Sequence, residues 1–477
     1  MPLLIEEEKK GLDIAVIGAG ISGLSAAICL RRAGHDVTLY ERSEFKNEVG
    51  AAINMPPHAT RLLREWGVAG HNPSEKTGPY LDNACGSLLN GTRRLDATTA
   101  ELLHSSSFDG DEYRYGAPFV SYHRADLHLG LRMAAADIGA KTVLGKMAVK
   151  IDCEKGQFTV VDPHSRTGKE VIQKDLVILA DGVNSLFVEH VSGSPNPLHE
   201  TGRSAYRSLI PMGKLFSDPE ARSLFTSGAE HGITGSFNSQ TGVFLIAYPC
   251  RKGEEMNIAI FHQMLPGERR TYDWDFPATI DQALASLEGF HPAFKALVRC
   301  AEDMKVYTIL ARDPAKRYIN HRAIMIGDAA HPMLPALAGG GSTGLEDAAS
   351  LEILLKNLSA PDLASGLVSK RLNLWQALRI PRDVTTQVIS KGMLVPQPAR
   401  NFAKEVAHVY SGALPEVALS GWIRATREFL CGYECYSTTE KALQWAEKEG
   451  YPEDMMRRLQ EEGVVKHFGH ATVKGQA

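Results

Sequence analysis

Near its N-terminus the chain alternates between short apolar runs and an amphipathic stretch. Residues 13–17 are mainly apolar, and residues 36–40, "DVTLY", form a second such run. Between them, apolar side chains recur at helical spacing from about Ile21 to Ala33, and Gly34 follows as a helix-ending residue. The pattern predicts a strand, a helix and a second strand, which together form a βαβ unit with parallel strands.

The period of the apolar positions changes several times in the rest of the chain. Most of residues 123–140 follow a helical period, whereas residues 70–117 carry loop signals and only weak strand signals. Three segments between residues 147 and 173 alternate at period two and predict a small antiparallel meander. Further strands are predicted at residues 176–180, within "SAYRSLIPM", "GVFLIAYPC" and "NIAIFHQML", and at 322–330. From Gly344 onward we predict mostly helix.

Composition and charge narrow the class of protein. The chain has 477 residues, which is too long for one small domain, and its 44% apolar and 23% charged residues are typical of soluble proteins. A net charge of −4 provides no basic field for nucleic acid or an acidic membrane surface. No apolar run is long enough for a membrane span, and glutamates stand where a signal peptide needs basic residues. We therefore expect a cytoplasmic protein without nucleic-acid or membrane partners.

The seven cysteines are odd in number and scattered along the chain. This usage favours reduced thiols over a disulfide framework. Cys431 and Cys435 are the nearest pair in sequence, but no second Cys or His pair close by completes a zinc site. We therefore predict no metal.

The segment "GAGISG" follows the first predicted strand and opens the predicted helix. Gly18 permits the tight turn, Gly20 lets the backbone approach a pyrophosphate, and Gly23 lets the helix pack on the strand. The helix N-terminus adds unpaired N–H groups and a positive dipole end. Glu41, at the end of the second strand, can accept hydrogen bonds from ribose hydroxyls. These features predict a dinucleotide site but do not distinguish NAD from FAD.

A second glycine-rich segment, "GDAAHPMLPALAGGGSTGLED", contains the same letter pattern at Gly339, Gly341 and Gly344. Its context differs, because two prolines separate these glycines from the nearest predicted strand. No second strand with a terminal acid follows at the expected distance. The sequence therefore predicts one dinucleotide site, and the second segment needs another explanation.

Four motifs, in order along most of the chain, supply that explanation. They are "GAGISG" with Glu41 and Arg42, "HRADL" with Arg124, "DLVILADGVNS" with Asp181, and "GDAAHPMLP" followed by "GLEDA". With them the chain resembles the FAD-dependent aromatic monooxygenases of the para-hydroxybenzoate hydroxylase type, especially the salicylate-hydroxylase-like branch common in fungi. The resemblance implies that both glycine-rich segments hold different parts of one FAD.

The resemblance and the periodic pattern together predict the fold class and the domain organisation. We expect an α/β fold in which residues 1–189 and 306–355 form a discontinuous, Rossmann-like FAD-binding domain with a parallel sheet and a β-meander. A β-rich substrate domain is expected at residues 190–305, and a helical region at residues 356–477.

The resemblance also assigns site residues. Asp328 would hydrogen-bond the ribityl chain, Arg124 would reach the pyrophosphate and ribityl region, and Asp181 would contact FAD and NAD(P)H. Backbone N–H groups of the glycine turn, before a helix expected near Thr343, would face the pyrimidine edge of the flavin. The cofactor-binding residues implied in this way are Gly18, Gly20, Gly23, Glu41, Arg42, Gly50, Ala51, Arg124, Asp181, Asp328, Pro335, Gly340 and Gly341.

The reaction implied by the resemblance needs no protein nucleophile. NAD(P)H would dock transiently and reduce FAD, and a flavin hydroperoxide formed with O₂ would transfer one oxygen to a phenolic or related aromatic substrate. The resemblance implies a role in fungal secondary metabolism. Dearomatising and decarboxylating hydroxylation are variants of the expected reaction. Arg207 and Tyr248 match positions that bind and orient a phenolate. An ion pair for Arg207 and core packing for Tyr248 are the alternative interpretations. Epoxidation of a terpenoid or indole-alkaloid alkene and flavin binding without turnover are the alternative functions, and the oligomeric state and the choice of NADH or NADPH stay open.

The sequence departs from the family pattern at a few positions. Gly339 replaces a usual Gln and Ser342 a usual Asn, which leaves the contacts to the flavin ring open. Val188 replaces the arginine that usually ends the motif of Asp181, so NAD(P)H contacts are expected to differ. His58 replaces a more usual Asn and is predicted not to be catalytic, and His331 is predicted to be structural.

Overall fold

The computed structural model describes residues 11–45, 50–69, 85–226, 228–264, 271, 275–394, 401–414 and 422–468. The N-terminal residues used in the prediction of location, and residues 70–84 of the segment predicted to be loop-rich, lie outside this set. None of the helices in these ranges has the length and apolar character needed to cross a bilayer.

The predicted βαβ unit is present and forms the centre of a six-stranded sheet. Asp13–Ile17 pairs in parallel with Asp36–Tyr40, and helix Ile21–Arg32 connects them. The strands lie in the order Ile319–Asn320, Ala323–Met325, Leu176–Leu179, Asp13–Ile17, Asp36–Tyr40 and Lys141–Val143. Central strands of such a sheet are covered on both faces, which explains the continuous apolar run of Leu176–Leu179, all of it buried.

The predicted meander is also confirmed. Met147–Asp152, Gln157–Val161 and Glu170–Gln173 form a separate antiparallel sheet. Its Phe158 contacts Tyr40 of the parallel sheet edge-on, with ring centroids 5.1 Å apart. The meander therefore extends the core of the first domain.

A large sheet of eight strands forms the second layer of the molecule. Its strand order is Pro277–Ala278, Met304–Ala311, His199–Pro211, Glu255–Gln263, Val243–Cys250, Ile233–Asn238, Gly91–Asp96 and Leu102–Ser107. The three strands predicted from residues 190–305 are confirmed. The strands at 91–107 come from the segment predicted to be loop-rich, and that prediction is wrong there. Their letters, "GTRRLD" and "LLHSSS", hide the alternation because charged and hydroxyl side chains replace apolar ones near the edge of the sheet.

A small sheet joins the two layers. Val120–His123 pairs with Ala52–Met55 on one side and with Ser87–Leu88 on the other. Helices make up most of the remaining structure. They are Pro57–Glu65, Asp111–Tyr115, Arg124–Asp137, Val188–Ser192, Met212–Ser217, Pro219–Arg222, Ile280–Ser286, Pro292–Arg299, Gly339–Leu355, Ala360–Ala364, Leu367–Leu394, Phe402–Val406, Arg424–Cys431, Cys435–Glu449 and Met455–Glu461, with 3-10 turns at Ala229–His231, Arg251–Gly253 and Gly327–Ala329.

One of these helices begins earlier than predicted. The helix expected near Thr343 starts at Gly339, so the glycines form its first turn. Ala338 precedes it with a left-handed backbone (φ 49°), which separates the helix from the proline-containing loop. Glycine is a poor helix former, and the sequence therefore gave no sign of the earlier start.

Candidate active site

The first glycine segment forms a close turn between strand and helix. Gly18 has φ +95°, and a Cβ atom there would lie 2.5 Å from the carbonyl oxygen of Ala180. A Cβ on Gly23 would lie 2.0 Å from the carbonyl oxygen of Gly18. A Cβ on Gly20 would meet no protein atom within 4 Å. Gly18 and Gly23 are therefore required by the packing of the protein itself, whereas Gly20 leaves open space beside the turn.

Hydrogen bonds fix Glu41 beside this turn. The backbone N–H of Ala19 donates to its Oε2, and that of Ser43 donates to its Oε1, both at 2.8 Å. Each carboxylate oxygen can accept more than one hydrogen bond, so both can still accept from sugar hydroxyls. Gly20 precedes helix Ile21–Arg32 without a side-chain cap, which leaves N–H groups at the helix start for an anion.

Asp181 follows the neighbouring strand of the parallel sheet. Burial raises the pKa of its carboxyl group to about 6, against the opposing effects of a hydrogen bond from Ser185 and the charges of Arg42 and Arg312. Its Oδ1 is buried without a hydrogen-bond partner. A buried acceptor in this state is costly, and a ligand donor would satisfy it.

A cavity of about 400 Å³ lies between the loops of the first domain and the large sheet. Eight of the predicted site residues line it: Ala51, Arg124, Arg207, Tyr248, Asp328, Pro335, Gly340 and Gly341. The other predicted residues are not part of this lining. For Gly50 the structure gives a packing reason, because a Cβ there would lie 2.3 Å from the imidazole of His123.

Asp328 stands at the end of the cavity formed by the first domain. It lies in the 3-10 turn after strand Ala323–Met325, surrounded by protein but exposed to the cavity. Burial raises the pKa of its carboxyl group, and the charges of His331 and Arg124 oppose that shift. The backbone N–H of Arg124 donates to the carbonyl of Ala51 at 2.9 Å, and this hydrogen bond fixes the position of the residue. An acceptor and a cation therefore flank the same part of the cavity.

The second glycine segment supplies a helix N-terminus at this end. Gly339, Gly340 and Gly341 line the cavity and form the first turn of the 17-residue helix Gly339–Leu355, which has no side-chain cap. A Cβ on Gly340 would lie 3.3 Å from Oδ1 of Asp328, and one on Gly341 would lie 3.0 Å from the methyl carbon of Met55. The glycines thus keep this wall thin, and the free N–H groups can stabilise negative charge in the cavity.

Arg207 and Tyr248 face the cavity from the large sheet. Arg207 is half-buried, with its guanidinium 6.0 Å from the ring centroid of Tyr307. Burial lowers the pKa of Arg207, and Tyr307 acts in the opposite direction. Tyr248 donates its hydroxyl to the carbonyl of Ala52 at 3.2 Å, and burial raises its pKa. Tyr248 thus borders the cavity while its hydroxyl has a protein partner.

Comparison with known proteins now identifies the family. The model of the FAD binding domain family matches residues 11–360. The FAD-dependent monooxygenase cfoG of Aspergillus candidus is 31% identical over 388 residues, covering 80% of this chain and 85% of the relative. Hispidin-3-hydroxylase of Neonothopanus nambi is 30% identical over 385 residues, covering 78% and 86%. This chain belongs to the FAD-dependent monooxygenases.

A solved structure agrees with the fold of this monooxygenase. The structure of CtdE in complex with FAD and a substrate has a TM-score of 0.72 at 20% identity, covering 92% of this chain and all of that one. The α/β fold class and the resemblance to the aromatic monooxygenases are confirmed, and FAD is the cofactor of the family. The observations above fit it: open space at Gly20, an unpartnered acceptor on Asp181 and a carboxylate aimed into the cavity at Asp328.

Two departures from the family pattern have a structural explanation in this monooxygenase. Val188 is buried at the start of a short helix, and Arg312, directly after strand Met304–Ala311, approaches the same motif. Its Nη2 donates to the carbonyl of Val183 at 3.2 Å, and its charge lowers the pKa of Asp181. Ser342 turns its hydroxyl back to the carbonyls of Ala338 and Gly339, at 3.0 and 3.1 Å, and therefore stays within the helix.

His331 and His58 of the monooxygenase are both deeply buried. His331 contacts Asp347 at 2.7 Å, and the nearby carboxylates raise its pKa to about 9 against the effect of burial. His331, Asp347 and Asp383 offer ligand atoms within 4.8 Å of one another, but Arg379 ion-pairs with both carboxylates at 2.8 and 2.6 Å and supplies the cation of this cluster. His58 has its pKa lowered to about 3 by burial, and it is not part of the cavity lining.

Sequence reasoning missed several residues of the cavity wall, among them Arg94 and Trp422. Arg94 reaches it from strand Gly91–Asp96, and Trp422 from the C-terminal region. For residues 356–477 the sequence predicts only a helical region, and no predicted site residue lies there. Local sequence carries no signal for either residue, because both reach the cavity through long-range packing.

Proposed function

We propose that this monooxygenase uses NAD(P)H and O₂ to insert one oxygen atom into a phenolic or related aromatic substrate. The observation that carries the proposal is the arrangement of the cavity. Arg207 and Tyr248 border it on the sheet side, and Asp328, Gly340 and Gly341 border it on the side of the first domain. An aromatic ring between these walls lies next to the segments that the family resemblance assigns to FAD.

In this proposal, different residues of the chain bind different parts of FAD. Gly18, Gly20 and Gly23 shape the pyrophosphate site, and Glu41 accepts from the adenosine ribose. Arg42 and Asp181 lie next to that site, while Arg124 and Asp328 hold the ribityl region. Ala51, Pro335, Gly340 and Gly341 surround the ring, and Gly50 lets that loop approach. When bound and reduced by NAD(P)H, FAD would activate O₂ so that one oxygen atom passes to the substrate and the other leaves as water.

Arg207 and Tyr248 would act on the substrate. A guanidinium near a phenol oxygen favours the ionised phenol, and the ionised ring is the more electron-rich acceptor of oxygen. The hydroxyl of Tyr248 donates its proton to the carbonyl of Ala52, so its oxygen would accept a hydrogen bond from the substrate O–H before the phenol ionises. Aromatic and aliphatic side chains, among them Phe237, Phe244 and Ile246, complete the wall and exclude water from the reaction.

NAD(P)H is proposed to reach the flavin transiently. Within the described ranges, one βαβ unit carries the glycine turn, and we assign it to FAD. Arg312, which donates to the carbonyl of Val183 and whose charge acts on Asp181, is the candidate for altered NAD(P)H contacts. The proposal includes the division of the chain into an FAD-binding domain at 1–189 and 306–355, a substrate domain at 190–305 and a helical region. It also includes a role in fungal secondary metabolism, which is supported by the two fungal relatives.

The test is a substrate screen with purified, FAD-loaded protein. Phenols, including resorcinol-type rings, are offered with NADH or NADPH under air and under ¹⁸O₂. We expect substrate-dependent oxidation of the nicotinamide and a product heavier by one labelled oxygen. A labelled epoxide from alkene probes alone would favour the epoxidase alternative. Flavin binding without turnover on any probe would favour the non-catalytic alternative and refute the proposal.

A further inference from the structure

Arg94 is a cation of the cavity wall for which the described residues provide no hydrogen-bond or ion-pair partner. It lies on strand Gly91–Asp96, is half-buried, and borders the cavity. Its Nε is buried without a hydrogen-bond acceptor, and among the described residues it has no ion pair. The neighbouring Arg93 differs, since its guanidinium is held by the carbonyl of Leu224 and the hydroxyl of Thr234. A buried donor without an acceptor is costly, so its retention at a cavity points to a ligand.

The sheet register places Arg94 far from Arg207 on the same face. Arg207 pairs with Ala259, Ala259 with Ile246, Ile246 with Gly235, and Gly235 with Arg94. Residues paired in this way point to one side of a sheet, and four strand spacings separate the two arginine backbones by about 19 Å. A bulge between Arg94 and Leu95 can re-aim the arginine locally. Gly235, next to it, adds no side chain that would cover it.

Charge in the cavity is unequally distributed. Among the described residues its wall contains five arginines and two aspartates. Asp328 lies at the end formed by the first domain, and Asp275 lies 3.5 Å from Lys305, on the far edge of the large sheet from Arg94. The Arg94 end therefore has a positive charge that neither acid balances, which favours an anion there.

Trp422 forms an aromatic wall at this cavity. It is 4% exposed and meets the ring of Phe119 edge-on at 4.8 Å. Arg427 fixes its segment to the edge strand beside that of Arg94, because it donates to the carbonyl of Ser107 at 2.8 Å. It also ion-pairs at 2.6 Å with Asp111, in the helix that follows this strand. An indole held in this way offers a flat apolar surface to a ligand.

We propose that Arg94 and Trp422 form a distal subsite that binds a carboxylate or another anionic group on an extended aromatic substrate. The reacting ring lies at Arg207, and the anionic end reaches Arg94 with the connecting part against Trp422. This inference rests on the proposed function for the position of the ring. It adds the substrate class: an aromatic acid with a spacer rather than a small neutral phenol.

The test measures binding to FAD-loaded, oxidised protein, so it needs no turnover. The probes are (3,5-dihydroxyphenyl)alkanoic acids of increasing chain length and their methyl esters, and the signal is the change in flavin absorbance. Wild-type protein should prefer an acid to its ester, with an optimum chain length. Arg94→Gln should weaken binding of that acid by about 10- to 100-fold and leave the ester unchanged. Arg299→Gln, which removes an exposed arginine outside the cavity wall, should change neither.

Two further measurements keep the outcome clear. Raising the salt concentration should weaken binding of the acid, but not of the ester, to wild-type protein. This measurement tests for a charged subsite even if Arg94→Gln does not fold. Equal affinity of acid and ester at every length, or equal loss of both in Arg94→Gln, would overturn the subsite. Selective acid binding without oxidation of any probe would keep the subsite and refute the proposed function instead.

Discussion

Substitution of Gly20 by alanine separates cofactor binding from folding. The backbone of Gly20 (φ −74°, ψ −174°) is accessible to alanine, and the added Cβ meets no protein atom within 4 Å. Loss of a favourable N-cap costs about 0.5 kcal/mol, and the lower entropy of the unfolded chain returns about 0.4–1 kcal/mol. The free energy of unfolding of the apoprotein should therefore stay close to that of wild type.

FAD binding should respond differently to Gly20→Ala. In the proposed site the methyl group occupies space that the pyrophosphate needs. Forcing an extra methyl into a filled site costs about 1–3 kcal/mol, which corresponds to a rise in Kd of about 5- to 150-fold. Titration of apoprotein with FAD, followed by quenching of flavin fluorescence, measures this change directly.

Gly23→Ala provides the contrast. Its Cβ would lie 2.0 Å from the carbonyl oxygen of Gly18 and 3.3 Å from Cβ of Ala180, so backbone must move with or without cofactor. Urea denaturation of the apoprotein should show a loss of about 1–3 kcal/mol. Gly213→Ala is the control, because its Cβ also meets open space but lies outside the cavity wall. Wild-type affinity for FAD in Gly20→Ala, with normal stability, would refute the assignment of the pyrophosphate to this turn.

Three other substitutions test the cavity and the buried charges. Arg207→Gln should retain bound FAD while kcat/KM falls about 100-fold, with Arg299→Gln as the control; normal turnover would remove Arg207 from the site. Tyr248→Phe removes the hydroxyl 3.2 Å from the carbonyl of Ala52, so urea denaturation should show a loss of about 1 kcal/mol and steady-state kinetics a higher KM. An unchanged stability and KM would contradict that role. His331 has a pKa raised from 6.5 to about 9, so its contribution to stability is complete below pH 6.5 and is lost as the pH rises through 9. Denaturation midpoints of the apoprotein should fall over this range, and less steeply in His331→Gln; parallel slopes would contradict the assignment.

Sequence was sufficient where local pattern and structure coincide. The buried strand Leu176–Leu179 is continuously apolar, and the spacing of Gly18, Gly20 and Gly23 from strand to helix has direct geometric causes in the fold. The βαβ unit, the meander and the fold class could be predicted for that reason. So could the grouping of Arg207 and Tyr248 on one wall, because both lie on predicted strands of one sheet.

Sequence failed where long-range packing decides. Strand Leu102–Ser107 has only exposed or half-exposed positions, so no apolar alternation marks it. Arg94 contributes to the cavity only because its strand joins the large sheet beside Ile233–Asn238. Trp422 reaches the same cavity from a distant part of the chain through the contacts of Arg427. No local property of these segments specifies these long-range contacts.

The C-terminal helices take part in the site in a second way. Asp347 accepts from the backbone N–H of Gly327 at 2.9 Å, one residue before Asp328, and from Nε of Arg379 at 2.8 Å. Arg379 lies on helix Leu367–Leu394 and is fully buried. Breaking one partner of such a buried pair costs about 3–5 kcal/mol, because an uncompensated charge stays inside. The position of Asp328 at the cavity is therefore coupled to a helix with no residue in the cavity wall among those described. An amphipathic pattern predicts that such a helix packs against the rest of the protein. It cannot reveal that Arg379 on this helix holds, through Asp347, the turn that carries Asp328.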